Sequence, residues 1–140
     1  MKILNALIVL LVFSYSGISQ AEVVVVANKN NEVKALTKKQ VIDIYMGRTS
    51  FFPDGQAALP IDQKASSVVR KLFYNQLVNK TVSEINAYWA RLIFSGRATP
   101  PRTLESVTTI IDFIKKNKSA IAYIQLEDVT DDVQVINYVD

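Results

Sequence analysis

The stretch Leu59-Pro60-Ile61-Asp62-Gln63-Lys64-Ala65-Ser66-Ser67-Val68-Val69-Arg70 decides how the rest of the chain is read. A short apolar run breaks into a polar turn, and beyond it Val69, Leu72, Phe73 and Leu77 recur at the spacing of one helix face. Strand, turn and helix in that order form the unit of an α/β domain. Two hydroxyls, Ser66 and Ser67, stand where the helix begins. First-turn N–H groups lack intrahelical acceptors and the macrodipole adds partial positive charge, so this is where a small anion would be held. Serine is equally the ordinary N-cap of helices that bind nothing.

Upstream, Val23-Val24-Val25-Val26-Ala27 is a continuous apolar run, which predicts a strand buried inside a parallel sheet. Asn28-Lys29-Asn30-Asn31 is a polar turn. Thr37-Lys38-Lys39-Gln40 has the capping-box pattern, Val41, Ile44 and Tyr45 supply a buried stripe and Gly47 a stop, so a helix is expected from Lys38 to Met46. Phe51-Phe52-Pro53-Asp54-Gly55 is an aromatic loop closed by a turn, leading into a strand from Ala58 to Ile61.

Downstream, the helix after the opening stretch stops near Asn79. Thr81-Val82-Ser83-Glu84 opens another, with Val82, Ile85, Trp89, Leu92 and Ile93 on its apolar face and Gly96 at its end. Arg97-Ala98-Thr99-Pro100-Pro101-Arg102 reads as a rigid basic connector. Leu104, Val107, Ile111 and Ile114 mark a further helix, which ends at Lys115-Lys116-Asn117-Lys118. Ala120 to Ile124 is a second buried strand, Glu127 to Asp132 an acidic turn, and Val133 to Tyr138 a final strand. The alternation predicts an α/β fold, one mixed sheet of about four to five strands flanked by helices.

Composition narrows the function. Met1-Lys2, the apolar run from Ile3 to Phe13 and Ser19-Gln20-Ala21 read as a cleaved secretory signal over residues 1–21. The run breaks at Ser14, Ser16 and Gly17, short of the ~20 apolar residues that a spanning helix needs. No cysteine follows to carry a lipid anchor, so a soluble, exported protein is expected. Residues 22–140 make about 120 residues, the size of one domain. The chain has no cysteine and no histidine, which removes disulfides, the usual zinc sites, Ser–His–Asp triads and Cys–His pairs. With no nucleophile–base pair or metal set, no enzyme activity and no cofactor are expected. The net charge of +3 is spread among acids without a basic run, which argues against nucleic acid.

Other candidates carry plain alternatives. Arg97 and Arg102 flank two prolines, and two pre-ordered guanidinium groups could grip an oxyanion or a carboxylate, or remain solvated charges. Phe51 and Phe52 cannot both hide easily in a loop, so they pack it down or present an apolar patch to a partner. Helical periodicity puts Trp89 in the core. Glu127-Asp128 and Asp131-Asp132 lack a calcium-loop pattern and read as a solvated turn. No metal site is expected.

Several segments together resemble the second lobe of PstS-like phosphate-binding proteins, of the type 2 periplasmic-binding-protein superfamily. They are Val25-Val26-Ala27-Asn28-Lys29-Asn30, Leu36 to Val41 leading to Ile44-Tyr45-Met46-Gly47-Arg48, and Phe52-Pro53-Asp54-Gly55. Leu59-Pro60-Ile61-Asp62, Tyr88-Trp89 with Phe94-Ser95-Gly96-Arg97, and Ala120-Ile121-Ala122-Tyr123-Ile124 complete the set. The resemblance implies a periplasmic protein that captures oxyanions such as phosphate for ABC uptake.

Two departures stand out. Full members close two lobes over the ligand, and this chain has room for one, so a second copy in a homodimer or another partner would have to complete the cleft. The resemblance also implies an arginine before a Ser-Gly-Thr turn, where this sequence has Asp62-Gln63 and Ser66-Ser67-Val68. An anion at this turn would draw on the hydroxyls of Ser66 and Ser67, flanking N–H groups, and the charge of Lys64 or Arg70. The competing expectation is a ligand-free module that docks on a transporter, porin or sensor through Phe51-Phe52 and the Arg97–Arg102 connector.

Overall fold

The β-branched run near the start forms an interior strand of a five-stranded sheet. The computed structural model of the chain describes residues 21–139, so the expected signal over 1–21 lies outside them except for Ala21. The strands are β1 (Val23–Asn28), β2 (Leu59–Gln63), β3 (Arg102–Leu104), β4 (Ala120–Gln125) and β5 (Val133–Tyr138). Their order across the sheet is β3-β2-β4-β1-β5. The helices are α1 (Lys38–Tyr45), α2 (Val68–Val78), α3 (Val82–Phe94) and α4 (Val107–Lys116). This is the expected mixed α/β sheet flanked by helices.

The reading of β1 as a strand within a parallel sheet is corrected, because it runs antiparallel to both neighbours, β4 and β5. Its all-apolar sequence reports that both sheet faces are covered, and not the direction of its neighbours. Val23, Val25 and Ala27 pack in the core that includes α1, α2 and α3 residues, while Val24 and Val26 pack with Ile110 and Ile114 of α4. Period-two alternation thus divides one strand between two cores.

β2 runs parallel to β4 on one side and to β3 on the other. β3 is the correction to the basic connector: Arg102 is its first residue, paired with Ile61. Three residues held by one neighbour carry no periodicity from which to infer a strand. Tyr45 reinforces the β2–β4 seam, its hydroxyl lying 2.9 Å from the Ile61 carbonyl and 3.1 Å from that of Ile121.

Both capping boxes form. Thr37 accepts from the Gln40 N–H while the Gln40 side chain accepts from the Thr37 N–H, and Thr81 and Glu84 repeat the exchange. Such a cap contributes about 1 kcal/mol. Gly47 ends α1 with φ 73°, and Asn79 ends α2 in the left-handed region at φ 53°.

Two predicted helix faces, those of α2 and α4, are rotated, and that of α3 is narrower than expected. In α2 the buried residues are Arg70, Phe73, Tyr74 and Leu77, with Val69 and Leu72 at the margin. In α3, Ile85 and Trp89 are buried and Leu92 packs partly against the core, but Ile93 is 54% exposed. In α4, Ile110 joins Ile114 at the centre, and Val107 and Ile111 flank them.

Candidate functional site

β2 ends, turns through Lys64-Ala65-Ser66, and enters α2 at Ser67, so the opening stretch of the sequence forms one strand–turn–helix. The Ser67 N–H donates to the Lys64 carbonyl at 2.9 Å and closes the turn. Ser67 is the N-cap, its hydroxyl accepting from the Arg70 N–H at 3.1 Å and donating to Gln63 Oε1 at 2.6 Å. Gln63 in turn donates from Nε2 to the Tyr123 carbonyl at 2.9 Å. The turn is therefore tied to β4 through side chains where the backbone ladder stops.

Asp62 is buried at the end of β2. Its carboxylate accepts from the Tyr74 hydroxyl at 2.7 Å, the Tyr123 hydroxyl, and the Gln63 N–H at 2.8 Å. Arg70 Nε lies 3.3 Å from Oδ1, within ion-pair distance but not aligned for a hydrogen bond. The guanidinium also donates to Asn86 Oδ1 at 3.1 Å and sits 5.5 Å from the Tyr74 ring centroid. The four side chains form one closed polar cluster against the aromatic core, where the Phe73 and Tyr123 rings stack 3.9 Å apart. Burial, and then the Asp62 charge, push the Tyr74 and Tyr123 phenols well above their ordinary pKa, so both act as hydrogen-bond donors.

Of the seven residues predicted at this turn, Asp62, Gln63 and Arg70 are buried and engaged within the protein, and Ser67 is half-buried as the cap. Lys64, Ser66 and Val68 face solvent. The first-turn N–H groups of Val68 and Val69 have no intrahelical acceptors. Because β2, β3 and β4 run parallel, this turn stands at their carboxyl ends, where open α/β sheets usually hold ligands. Sequence reasoning missed Tyr74, Tyr123 and Asn86. Tyr74 and Arg70 could have been found together, since positions 70, 73, 74 and 77 follow the i, i+3, i+4, i+7 pattern.

Arg97 and Arg102 lie at the opposite ends of β2 and β3. They line an open groove of ≈ 830 Å³ with Leu59, Pro60, Ile93 and Pro101 among its walls. The aromatic pair splits: Phe52 is 2% exposed in the core and Phe51 is 57% exposed. A smaller hollow beside Phe51 shares Ile44 and Thr49 with the groove, so the aromatic loop and the basic connector adjoin on one surface. Among the described residues no three metal-ligating side chains cluster.

No protein-family model and no curated protein sequence matches the chain at a significant level. Solved structures do. The chain is similar to a proposed phosphate ABC transporter substrate-binding protein with bound phosphate from Clostridium perfringens, at 21% identity and TM-score 0.66, over 84% of this chain and 44% of that one. An ABC-type phosphate transport receptor from Vibrio cholerae matches at 19% identity and TM-score 0.67, over 84% and 46%. PstS from Borrelia burgdorferi matches at 13% and TM-score 0.63, over 84% and 47%. The chain spans less than half the length of each. These likenesses establish the fold: the described domain shares the α/β architecture of less than half of each of those chains, the extent of a single lobe.

Proposed function

We propose that the chain is a non-enzymatic, periplasmic solute-binding-type lobe, an accessory component of ABC uptake that holds phosphate or a similar oxyanion at the amino end of α2. The observation that carries this reading is the β2–α2 turn, which leaves Lys64 and Ser66 exposed beside unfilled first-turn N–H groups at the carboxyl ends of parallel strands. Lys64 supplies the charge, Ser66 a hydroxyl, and the N–H groups of Val68 and Val69 the rest of the cradle. Asp62, Gln63, Ser67 and Arg70 hold the turn from within. Arg70 matches the Asp62 charge, so the carboxylate need not repel an anion outside. The fold likeness to proteins described by phosphate binding and phosphate transport supports the ligand class.

One lobe leaves an anion half solvated, so affinity is set at ~1 mM, about −4 kcal/mol, unless a second copy or a transporter subunit closes the cleft. Calorimetric titration with phosphate and sulfate tests this. Heat that disappears in Lys64→Ala/Ser66→Ala supports it, and the absence of heat at ~10 mM phosphate refutes it for the isolated lobe.

A second reading is favoured by the adjoining surface of Phe51 and the Arg97–Arg102 connector: a module that docks on a transporter, porin or sensor without a ligand. Pull-down from periplasm with and without Phe51→Ser tests it, and an unchanged set of partners removes Phe51 from the account.

A further inference from the structure

The groove at the amino ends of β2 and β3 has a chemistry different from that of the α2 turn. Its floor and walls are largely apolar, with Leu59 37% and Ile93 54% exposed, and Pro100-Pro101 stiffen one side. Phe94, the residue after Ile93, is 95% exposed. The ionisable residues lining it are Arg97 and Arg102, and no carboxylate joins them. Arg97 forms no ion pair among the described residues, and the Arg102 guanidinium lies 4.9 Å from the Phe113 ring centroid rather than against an acid. Asp43 lines the neighbouring Phe51 hollow, but Lys39 at 2.7 Å and Arg48 at 3.3 Å occupy its carboxylate.

We infer that this groove docks an extended acidic segment of a partner protein, with apolar side chains against Leu59 and Ile93 and carboxylates on Arg97 and Arg102. The inference rests on the docking reading above and gives it a surface and a partner chemistry. Charge complementarity selects acidic groups, because guanidinium pairs favour carboxylates bidentately and nothing in the groove competes for them. The exposed apolar walls select a segment over a small anion, which would leave Leu59 and Ile93 bare. The two prolines reduce the ordering cost of the connector on binding.

Trp89 is the only tryptophan, and it reports on the groove from beneath. Gly47 and Ala98 both line the groove, and a Cβ on Gly47 would lie 2.6 Å from the Trp89 ring. Trp89 fluorescence of residues 22–140 is titrated with a blocked Glu/Leu peptide containing two prolines, alongside Gln-for-Glu and Lys-for-Glu versions. The Glu peptide is expected to bind roughly tenfold or more tightly than either control. Arg97→Glu/Arg102→Glu should reverse the preference toward the Lys peptide, with circular dichroism confirming the fold. If that variant does not fold, Arg97→Gln and the exposed Ile93→Ser should each weaken Glu-peptide binding severalfold.

Equal binding of the three peptides, no binding of the Glu peptide, or displacement by inorganic phosphate would overturn the inference. Concentration-dependent self-association abolished by Ile93→Ser would also overturn it, by assigning the groove to a second copy. If the peptide fails while periplasmic capture still depends on Phe51, the docking reading stands and the groove assignment falls.

Discussion

Arg70 and Asp62 face each other inside the protein, Nε to Oδ1 at 3.3 Å, with both side chains more than nine-tenths buried. The other ion pairs are on the surface and each contributes little. This one is different because removal of either partner leaves an unmatched buried charge. Arg70→Met should lower stability by about 3–5 kcal/mol. Asp62→Asn/Arg70→Met should recover part of that loss, since both charges go together. Urea unfolding measures both, and a loss under about 1 kcal/mol for Arg70→Met would contradict the pairing.

The phenols around Asp62 give a pH signature. Tyr45, Tyr74 and Tyr123 are all raised above their ordinary pKa, first by burial and then by the Asp62 charge. Unfolded tyrosine loses its proton near pH 10, while these keep theirs when folded. Their stabilisation is therefore complete below about pH 10 and is lost as pH rises beyond it, by up to about 1.4 kcal/mol per pH unit for each phenol. Tyrosinate absorbance from these three should appear together with the loss of circular dichroism. Full ionisation of all tyrosines in a still-folded protein would refute this.

The adjacent phenylalanines should behave oppositely. Phe52→Ala removes a core ring and should cost about 3–5 kcal/mol. Phe51→Ala removes a solvent-facing ring and should change stability by within about 0.5 kcal/mol. Thermal melts of the two variants check the contrast.

Gly47 and Gly55 separate strain from collision. Both have positive φ, 73° and 89°, but a Cβ on Gly47 would meet the Trp89 ring at 2.6 Å, whereas one on Gly55 would meet nothing within 4 Å. Gly55→Ala should cost about 1 kcal/mol, the left-handed penalty alone. Gly47→Ala should cost about 1–3 kcal/mol more and shift Trp89 fluorescence. Equal losses would remove the packing argument.

Much of this fold is legible in local sequence because the signals are local. The capping boxes at Thr37 and Thr81, the stop at Gly47 and the apolar runs of β1 and β4 each depend on residues a few positions apart. What is not legible depends on partners distant in sequence. The antiparallel setting of β1 is fixed by β4 and β5, about a hundred residues later, and β3 exists because Arg102 to Leu104 find the free edge of β2. The candidate turn was visible as Asp62 to Arg70, but its internal wiring through Tyr123 joins residues 61 positions apart. Arg70 looks like a ligand-binding charge until helical phase places it beside Phe73 and Tyr74.

The central claim is that the amino end of α2 holds an oxyanion, and the backbone amides there report it most directly. In ¹⁵N-labelled protein titrated with phosphate to ~10 mM, the Ser66, Val68 and Val69 N–H resonances should move saturably. Equal chloride should leave them in place, and Lys64→Ala/Ser66→Ala should abolish the movement. Resonances at the turn that stay fixed, or shifts centred on Arg97 and Arg102 instead, would contradict the account.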